Sequence, residues 1–230
     1  GNRITCRDWF QLSLKEGLTV FRDQSFTADL HSEALKRIED VSLLRNNQFK
    51  EDSGPTAHPV KPTEYLSIDN FYTTTIYEKG AELIRMLYVL LGKSAFMTGI
   101  SNYVDSFDGT YATIEEFINA LYAPTNHINK KFDIEQFKLW YSQIGTPHVS
   151  IAREWKSGSN ELVIEVQQTN PRNESNKPLV IPILLSIINP EILPNEERLI
   201  VLDKKKDRFE FLLEHTPKNK PVISCFRSFS

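Results

Sequence analysis

The chain has 230 residues, of which 40% are hydrophobic and 11% aromatic, which is enough apolar material for one large domain or two small ones. Its formal net charge of −3 argues against a nucleic-acid-binding surface, because such surfaces need clustered lysine and arginine. No uninterrupted apolar run is long enough to span a bilayer, so we expect neither nucleic acid nor a membrane among its partners.

The first part of the chain, up to Gly145-Thr146-Pro147, has apolar residues at helical spacing. Ser13 and Glu16 have the spacing of a capping box, which predicts that a helix begins there. Asp29 is predicted to cap a second helix that runs through Leu43.

A proline-rich segment, residues 53–62, is predicted to be irregular because its prolines exclude regular structure. A strongly apolar helix is predicted from about Thr75 to Leu91, with Gly92 ending it.

Two further cap signals precede the end of the helical part. Thr113 and Glu116 form a second capping-box pattern, and Asp133 is predicted to cap the last helix. Gly145, followed by a proline, is expected to stop that helix.

Beyond Pro147, β-branched residues alternate in short runs that are separated by turn signals. This pattern predicts a small antiparallel β-sandwich. The predicted strands are residues 149–155, 162–166, 179–188, 199–202, 209–213 and 222–226.

The two cysteines, Cys6 and Cys225, lie near opposite ends of the chain and outside any C-x-x-C pattern. They could pair only if the fold brought them together, and two isolated thiols are more typical of reduced core residues in an intracellular protein. We therefore expect a cytoplasmic location. No signal peptide is visible, although Gly1 is not expected to be the native start.

Residues 7–23, with the sequence Arg-Asp-Trp-Phe-Gln-Leu-Ser-Leu-Lys-Glu-Gly-Leu-Thr-Val-Phe-Arg-Asp, resemble a segment of the aminopeptidase N family of zinc metallopeptidases. The likeness is greatest to its bacterial and protozoan alanyl aminopeptidase branch. Residues 70–82 resemble the family's tyrosine-bearing helix, residues 57–62 a loop beside its cleft, and residues 140–147 the end of its catalytic domain. The H-E-x-x-H motif, which provides two zinc-binding histidines in these gluzincins, is absent from the chain.

The resemblance implies a role for each of four residues. Glu16 would be one of three protein ligands of a catalytic zinc ion, the other two being histidines upstream of Gly1. The hydroxyl of Tyr77 would donate a hydrogen bond to the oxyanion of the tetrahedral intermediate. Asp23 would orient a ligand histidine, and His58 would form a wall of the substrate pocket rather than bind zinc.

Each assignment has a plainer alternative. Glu16 could be the reciprocal half of the capping box with Ser13. Tyr77 could be an ordinary aromatic residue of an apolar helix, with Tyr72 as the competing tyrosine. Asp23 could be a solvated helix residue.

The resemblance implies an α+β chain, in which residues 1–147 form the helical C-terminal half of a thermolysin-like catalytic domain and residues 148–230 a small antiparallel β-sandwich. The longer parent would be a zinc-dependent aminopeptidase that hydrolyses the N-terminal residue from peptides. The isolated chain is expected to be inactive, since it lacks two zinc ligands and the general base.

The expected partners are therefore peptide substrates and the missing parts of the same polypeptide. Because the helices would normally pack on those parts, we expect exposed apolar surface, and either self-association of the fragment or partial disorder near Gly1. The alternative function is a non-catalytic module that acts only through binding.

Overall fold

The structure is a computed structural model that describes residues 2–124, 132–156, 158–172, 177–188, 197–213 and 221–229. The chain divides into two compact units, residues 1–146 and 147–230. The first is helical and the second consists of antiparallel strands. The predicted α+β class, a helical part followed by a small β domain, is confirmed.

The first unit is built from α-helices joined by turns and by one longer irregular segment, residues 54–67. Two π-helical turns, Leu44–Gln48 and Thr75–Lys79, lead directly into α3 and α4, and 3₁₀ turns cover Trp9–Gln11 and Ile68–Phe71. Two short strands, β1 (Thr5–Cys6) and β2 (Tyr111–Ala112), pair in parallel. The helices are α1 (Leu12–Leu30), α2 (Glu33–Leu43), α3 (Phe49–Ser53), α4 (Gly80–Leu91), α5 (Lys93–Phe107), α6 (Ile114–Tyr122), α7 (Ile134–Phe137) and α8 (Leu139–Ser142).

Helix α4 lies in the core of this unit, in contact with α1, α5 and the π-helical turn before it. Its side chains at Leu83, Ile84, Leu87 and Leu90 are 0–2% exposed, which follows from their helical spacing. Burying each such side chain contributes about 1.5–3 kcal/mol, so α4 anchors the segment that precedes it.

Several predicted helix ends are confirmed. The Thr113 hydroxyl accepts from the Glu116 N–H at 3.2 Å, while the Glu116 carboxylate accepts from the Thr113 N–H at 2.7 Å, which completes a capping box. Asp133 caps α7 by accepting from the N–H of Glu135 at 2.8 Å. Gly92 ends α4 with a φ of 78°.

Two predicted caps are wrong. Helix α1 begins at Leu12, and the hydroxyl of Ser13 is buried and donates to the carbonyl of Ile76 at 2.8 Å instead of capping α1. Asp29 lies inside α1, which continues to Leu30, and α2 is capped by Ser32. Helix α1 therefore starts before its predicted cap, whereas α2 starts after its predicted cap and beyond the end of α1.

The second unit consists of two three-stranded antiparallel sheets. In one sheet β4 (Glu161–Thr169) lies between β3 (His148–Lys156) and β7 (Lys206–Leu212). In the other, β5 (Ile181–Ile188) lies between β6 (Glu197–Leu202) and β8 (Val222–Ser224). The strands therefore fall where the alternation predicted them, with small differences at their ends.

Gln168, a buried residue of β4, links the two sheets. Its amide oxygen accepts from the N–H of Leu179 at 2.9 Å, and its amide nitrogen donates to the carbonyls of Leu179 and Lys204, both at 2.9 Å. Buried polar groups in folded proteins normally have hydrogen-bond partners, and Gln168 has them on both sides. Its side chain thereby joins the segment before β5 to the turn before β7.

Large apolar side chains are exposed along the end of α1 and along α2. The exposed fractions are 62% for Phe26, 61% for Leu30 and 64% for Leu35. The expected self-association stays a prediction. None of the described helices is long and apolar enough to cross a membrane.

Candidate functional site

Glu16 and Tyr77 lie close together because α1 and the start of α4, which directly follows the π-helical turn, touch at two glycines. A Cβ added to Gly17 would lie 2.8 Å from the carbonyl carbon of Gly80, and one added to Gly80 would lie 2.2 Å from the hydroxyl oxygen of Ser13. Neither position has room for a side chain without movement. The absence of side chains at Gly17 and Gly80 therefore allows two segments that are distant in sequence to meet.

The carboxylate of Glu16 is the centre of this contact. Its side chain is 15% exposed and forms an ion pair with the ammonium of Lys15. The phenol of Tyr77 lies close enough to this carboxylate for the charge of Glu16 to act on it. Burial raises the pKa of Tyr77, and the charge of Glu16 raises it further. Tyr77 therefore keeps its proton at neutral pH and can act as a hydrogen-bond donor.

Tyr72, the competing tyrosine, lies beside Tyr77. Their ring centroids are 6.5 Å apart, and 51% of Tyr72 is exposed. The tyrosine on which the charge of Glu16 acts is Tyr77.

His58 lies beside the segment that leads into the π-helical turn. Its Nδ1 is 2.8 Å from the carbonyl oxygen of Pro59, and its Nε2 is 2.8 Å from the hydroxyl oxygen of Thr73. Because a carbonyl oxygen only accepts, Nδ1 carries the proton. The backbone carbonyl of Thr73 in turn accepts from the N–H of Tyr77 at 3.2 Å. Thr73 therefore connects His58 to the backbone of Tyr77.

Asp23 is exposed on α1, seven residues beyond Glu16 and therefore about 10 Å further along the helix axis. Its charge acts on Lys36 of α2 and on Glu78. Burial raises the pKa of Glu78, with further increases from the neighbouring carboxylates of Asp40 and Glu82. The structure thus places Asp23 in a charged cluster at the α1–α2 side of the site.

A cavity of about 910 Å³ lies alongside α1 on the side of Lys15 and Glu16. Apolar side chains of α1 and α5 form much of its wall. The volume lies within the range of ligand pockets. Charged side chains, among them Lys15, Glu16 and Arg22, also line the cavity. Of the four predicted site residues, Glu16 lines this cavity, whereas Tyr77, Asp23 and His58 are outside its described wall.

The described residues do not make a complete metal site. Among them, no group of three or more histidine, cysteine, aspartate or glutamate side chains is placed to hold an ion. A catalytic zinc ion takes three protein ligands, and Glu16 can offer one carboxylate. This donor set therefore does not fit a zinc ion by itself.

Sequence reasoning missed three residues that build this site. Lys15 neutralises Glu16, while Gly17 and Gly80 bring the two segments together. A glycine inside an apolar helical pattern is a signal of close packing and could have identified both contact positions.

Comparison with known proteins agrees with both units. Residues 1–140 match the family model described as peptidase family M1 domain, and residues 145–230 match a domain of unknown function with an Ig-like fold. The chain is 44% identical over 207 residues to aminopeptidase N of Escherichia coli strain K12, covering 89% of this chain and 23% of that protein. It is 52% identical over 162 residues to aminopeptidase N of Caulobacter vibrioides, covering 70% of this chain and 18% of that protein.

A solved structure also matches. Legionella pneumophila aminopeptidase A, in complex with aspartic acid, superposes with a TM-score of 0.79 at 26% identity, covering 99% of this chain and 24% of that chain. The chain thus spans about a quarter or less of the length of these relatives.

Proposed function

Because this chain belongs to peptidase family M1, we propose that it is part of a zinc-dependent aminopeptidase that hydrolyses the N-terminal residue from peptides. The observation that carries the proposal is the proximity of a largely buried glutamate, Glu16 of α1, to Tyr77 of the π-helical turn that packs on α1. Relatives at 44% and 52% identity are named aminopeptidase N, which supports the reaction class. Residues 1–147 would be the C-terminal part of the catalytic domain and residues 148–230 a β-sandwich domain.

Each site residue has a proposed role. Glu16 supplies one carboxylate ligand to zinc, an ion that polarises carbonyl groups and activates water in peptidases. Tyr77 donates its hydroxyl hydrogen to the oxygen of the attacked peptide carbonyl as negative charge develops there. Asp23 orients a ligand histidine, and His58, next to Thr73, lies at the wall of the substrate pocket.

The other parts of the site come from the rest of the longer protein in this proposal. These parts are two histidine ligands and the general base. One carboxylate paired with Lys15 does not bind zinc tightly, so the 230-residue chain alone is inactive and its natural partners are peptide substrates and the remaining segments of the same polypeptide.

The test compares variants of the longer protein on a fluorogenic alanyl or leucyl substrate, with zinc content measured in parallel. Glu16→Ala is expected to lose zinc and activity together. Tyr77→Phe is expected to keep zinc and KM while kcat falls about 10²–10³-fold, the usual loss for one oxyanion donor. A Tyr77→Phe protein with unchanged kcat would refute the role of Tyr77. A zinc-dependent peptidase activity of the 230-residue chain alone would refute the interpretation that this chain holds only part of the zinc site, which we call the half-site.

A further inference from the structure

The π-helical turn that carries Tyr77 is held at its first residue by Glu51, near the end of α3. One carboxylate oxygen of Glu51 accepts from the N–H of Thr75 at 2.9 Å and from its hydroxyl at 2.5 Å. The side-chain amide of Gln48 donates to the same hydroxyl at 3.3 Å. Thr75 is fully buried, so these contacts fix the start of the turn.

The last residue of the turn is held by the next residue of α3. The ammonium of Lys79 lies 2.8 Å from a carboxylate oxygen of Asp52, and their side chains are 8% and 0% exposed. The other oxygen of Asp52 accepts from the N–H of Gly145 at 2.8 Å, and Lys79 donates to the carbonyl of Gly145 at 3.2 Å. A buried ion pair needs further hydrogen bonds to offset the loss of water. Both partners make such bonds here.

A π-helical turn needs such support because its hydrogen bonds are less favourable than those of an α-helix, and such turns often occur at functional sites. The N–H of Gly80 reaches back to the carbonyl of Thr75, which is the wide π-type bond. That extra residue in the turn sets the direction in which Tyr77 leaves the backbone. If the turn relaxed to α-helical geometry, the phenol would leave the backbone in a different direction.

We propose that Glu51 and Asp52 are positioning residues for the proposed peptidase reaction, acting by clamping the two ends of this turn so that the Tyr77 side chain stays beside Glu16. The inference rests on the proposed function, because it assigns to α3 the alignment of the oxyanion donor. Neither carboxylate is itself a catalytic residue, since both bond to the turn and not to the reacting groups.

The test uses Glu51, because Asp52→Asn would leave the buried Lys79 without its charge partner. Glu51→Ala removes the acceptor for Thr75, whereas Glu51→Gln keeps an amide oxygen in its place. Lys50→Ala is the matched control, since Lys50 is an exposed residue of the same short helix. In the longer protein, Glu51→Ala is expected to lower kcat about 10-fold, as for about 1.4 kcal/mol of lost transition-state stabilisation, with KM and zinc content unchanged. Glu51→Gln is expected to restore most of the kcat.

Two further measurements separate positioning from a general loss of stability. In the Tyr77→Phe background, Glu51→Ala should cause no further fall in kcat, because the two changes act through the same hydroxyl. In the 230-residue chain labelled with ¹³C at the tyrosine ring, the Tyr77 resonance should move in Glu51→Ala but not in Glu51→Gln or Lys50→Ala.

The outcomes distinguish this inference from the function on which it rests. An unchanged Tyr77 resonance in Glu51→Ala, or an equal loss of kcat with and without the Tyr77 hydroxyl, would overturn the positioning role alone. Full activity of Tyr77→Phe would overturn the proposed role of Tyr77, and the catalytic consequence of the clamp with it.

Discussion

Gly80→Ala tests whether the glycine contact between α1 and the start of α4 determines the site. The new Cβ would lie 2.2 Å from the hydroxyl oxygen of Ser13, whereas its next neighbours are at ordinary distances, 3.4 Å from Gly17 Cα and 3.5 Å from Ser13 Cβ. The Ser13 hydroxyl must therefore leave its 2.8 Å bond to Ile76, or α1 must shift. Losing a buried hydrogen bond costs about 1–3 kcal/mol, and the gain in helix propensity from glycine to alanine returns about 1 kcal/mol. We expect a net destabilisation of up to about 2 kcal/mol.

The assay is a double-mutant cycle measured by chemical denaturation of the chain. Ser13→Ala alone should cost about 1 kcal/mol for the lost hydrogen bond. Because it removes the one clashing atom, the Gly80→Ala/Ser13→Ala double variant should be no less stable than Ser13→Ala. Gly17→Ala is the matched control, since its Cβ would lie 2.8 Å from backbone of Gly80 and truncating Ser13 cannot relieve that contact. The reasoning would be refuted if the stability losses of Gly80→Ala and Ser13→Ala were additive in the double variant. It would also be refuted if Ser13→Ala restored the stability of Gly17→Ala to the same extent.

Two other predictions concern stability. Burial alone would raise the pKa of Asp52, but the charge of Lys79 and the hydrogen bonds from Lys79 and Gly145 outweigh it and hold that pKa below its usual value. Asp52 therefore stabilises the helical unit fully above about pH 4, the unfolded value, and this contribution is lost as the pH falls through the lowered folded pKa. Chemical denaturation between about pH 2 and 5 should show that the free energy of unfolding of the original chain falls with pH. The part of this fall that is due to Asp52 should be missing in the Asp52→Asn variant. Gln168→Met, which keeps the side-chain volume but removes its bonds to Leu179, should cost the β unit about 2–4 kcal/mol, and an unchanged unfolding midpoint would contradict this.

Local signals in the sequence predicted the parts of the fold whose bonds are local. The capping box of Thr113 and Glu116 joins residues three apart, so the pattern and the structure agree. Ser13 fits the same pattern with Glu16, but its hydroxyl partner is 63 residues away, and a short-range rule cannot detect that competitor. Helix α5 was not predicted at all, because its buried residues are limited to Phe96, Gly99 and Tyr103, which gives too narrow an apolar stripe.

The same distinction applies to the site. Its residues could be nominated by their resemblance to a family, but no local pattern states that Glu16 and Tyr77 meet. Their meeting depends on Gly17 and Gly80, and the direction of the tyrosine on α3, whose carboxylates bond to residues 24 and 27 positions further along the chain. The π-helical turn is a tertiary result of these contacts and has no signature in the order of its five residues.

These contacts also bear on why the chain alone should be inactive. Glu16, Tyr77 and the α3 clamp all lie within residues 1–146, so the half-site they form is built from one compact unit. If Glu16 and Tyr77 already have their working positions in the isolated chain, the chain is inactive because the other zinc ligands and the general base are missing. Supplying the remaining segments of the longer protein as a separate polypeptide should then restore zinc binding and peptidase activity, with a concentration dependence set by association of the two pieces. A Glu16→Ala chain should associate equally well and stay inactive. A complex that forms with the original chain but remains inactive would show that the half-site is not preformed, and that Glu16 and Tyr77 require a covalently continuous domain to reach their working positions.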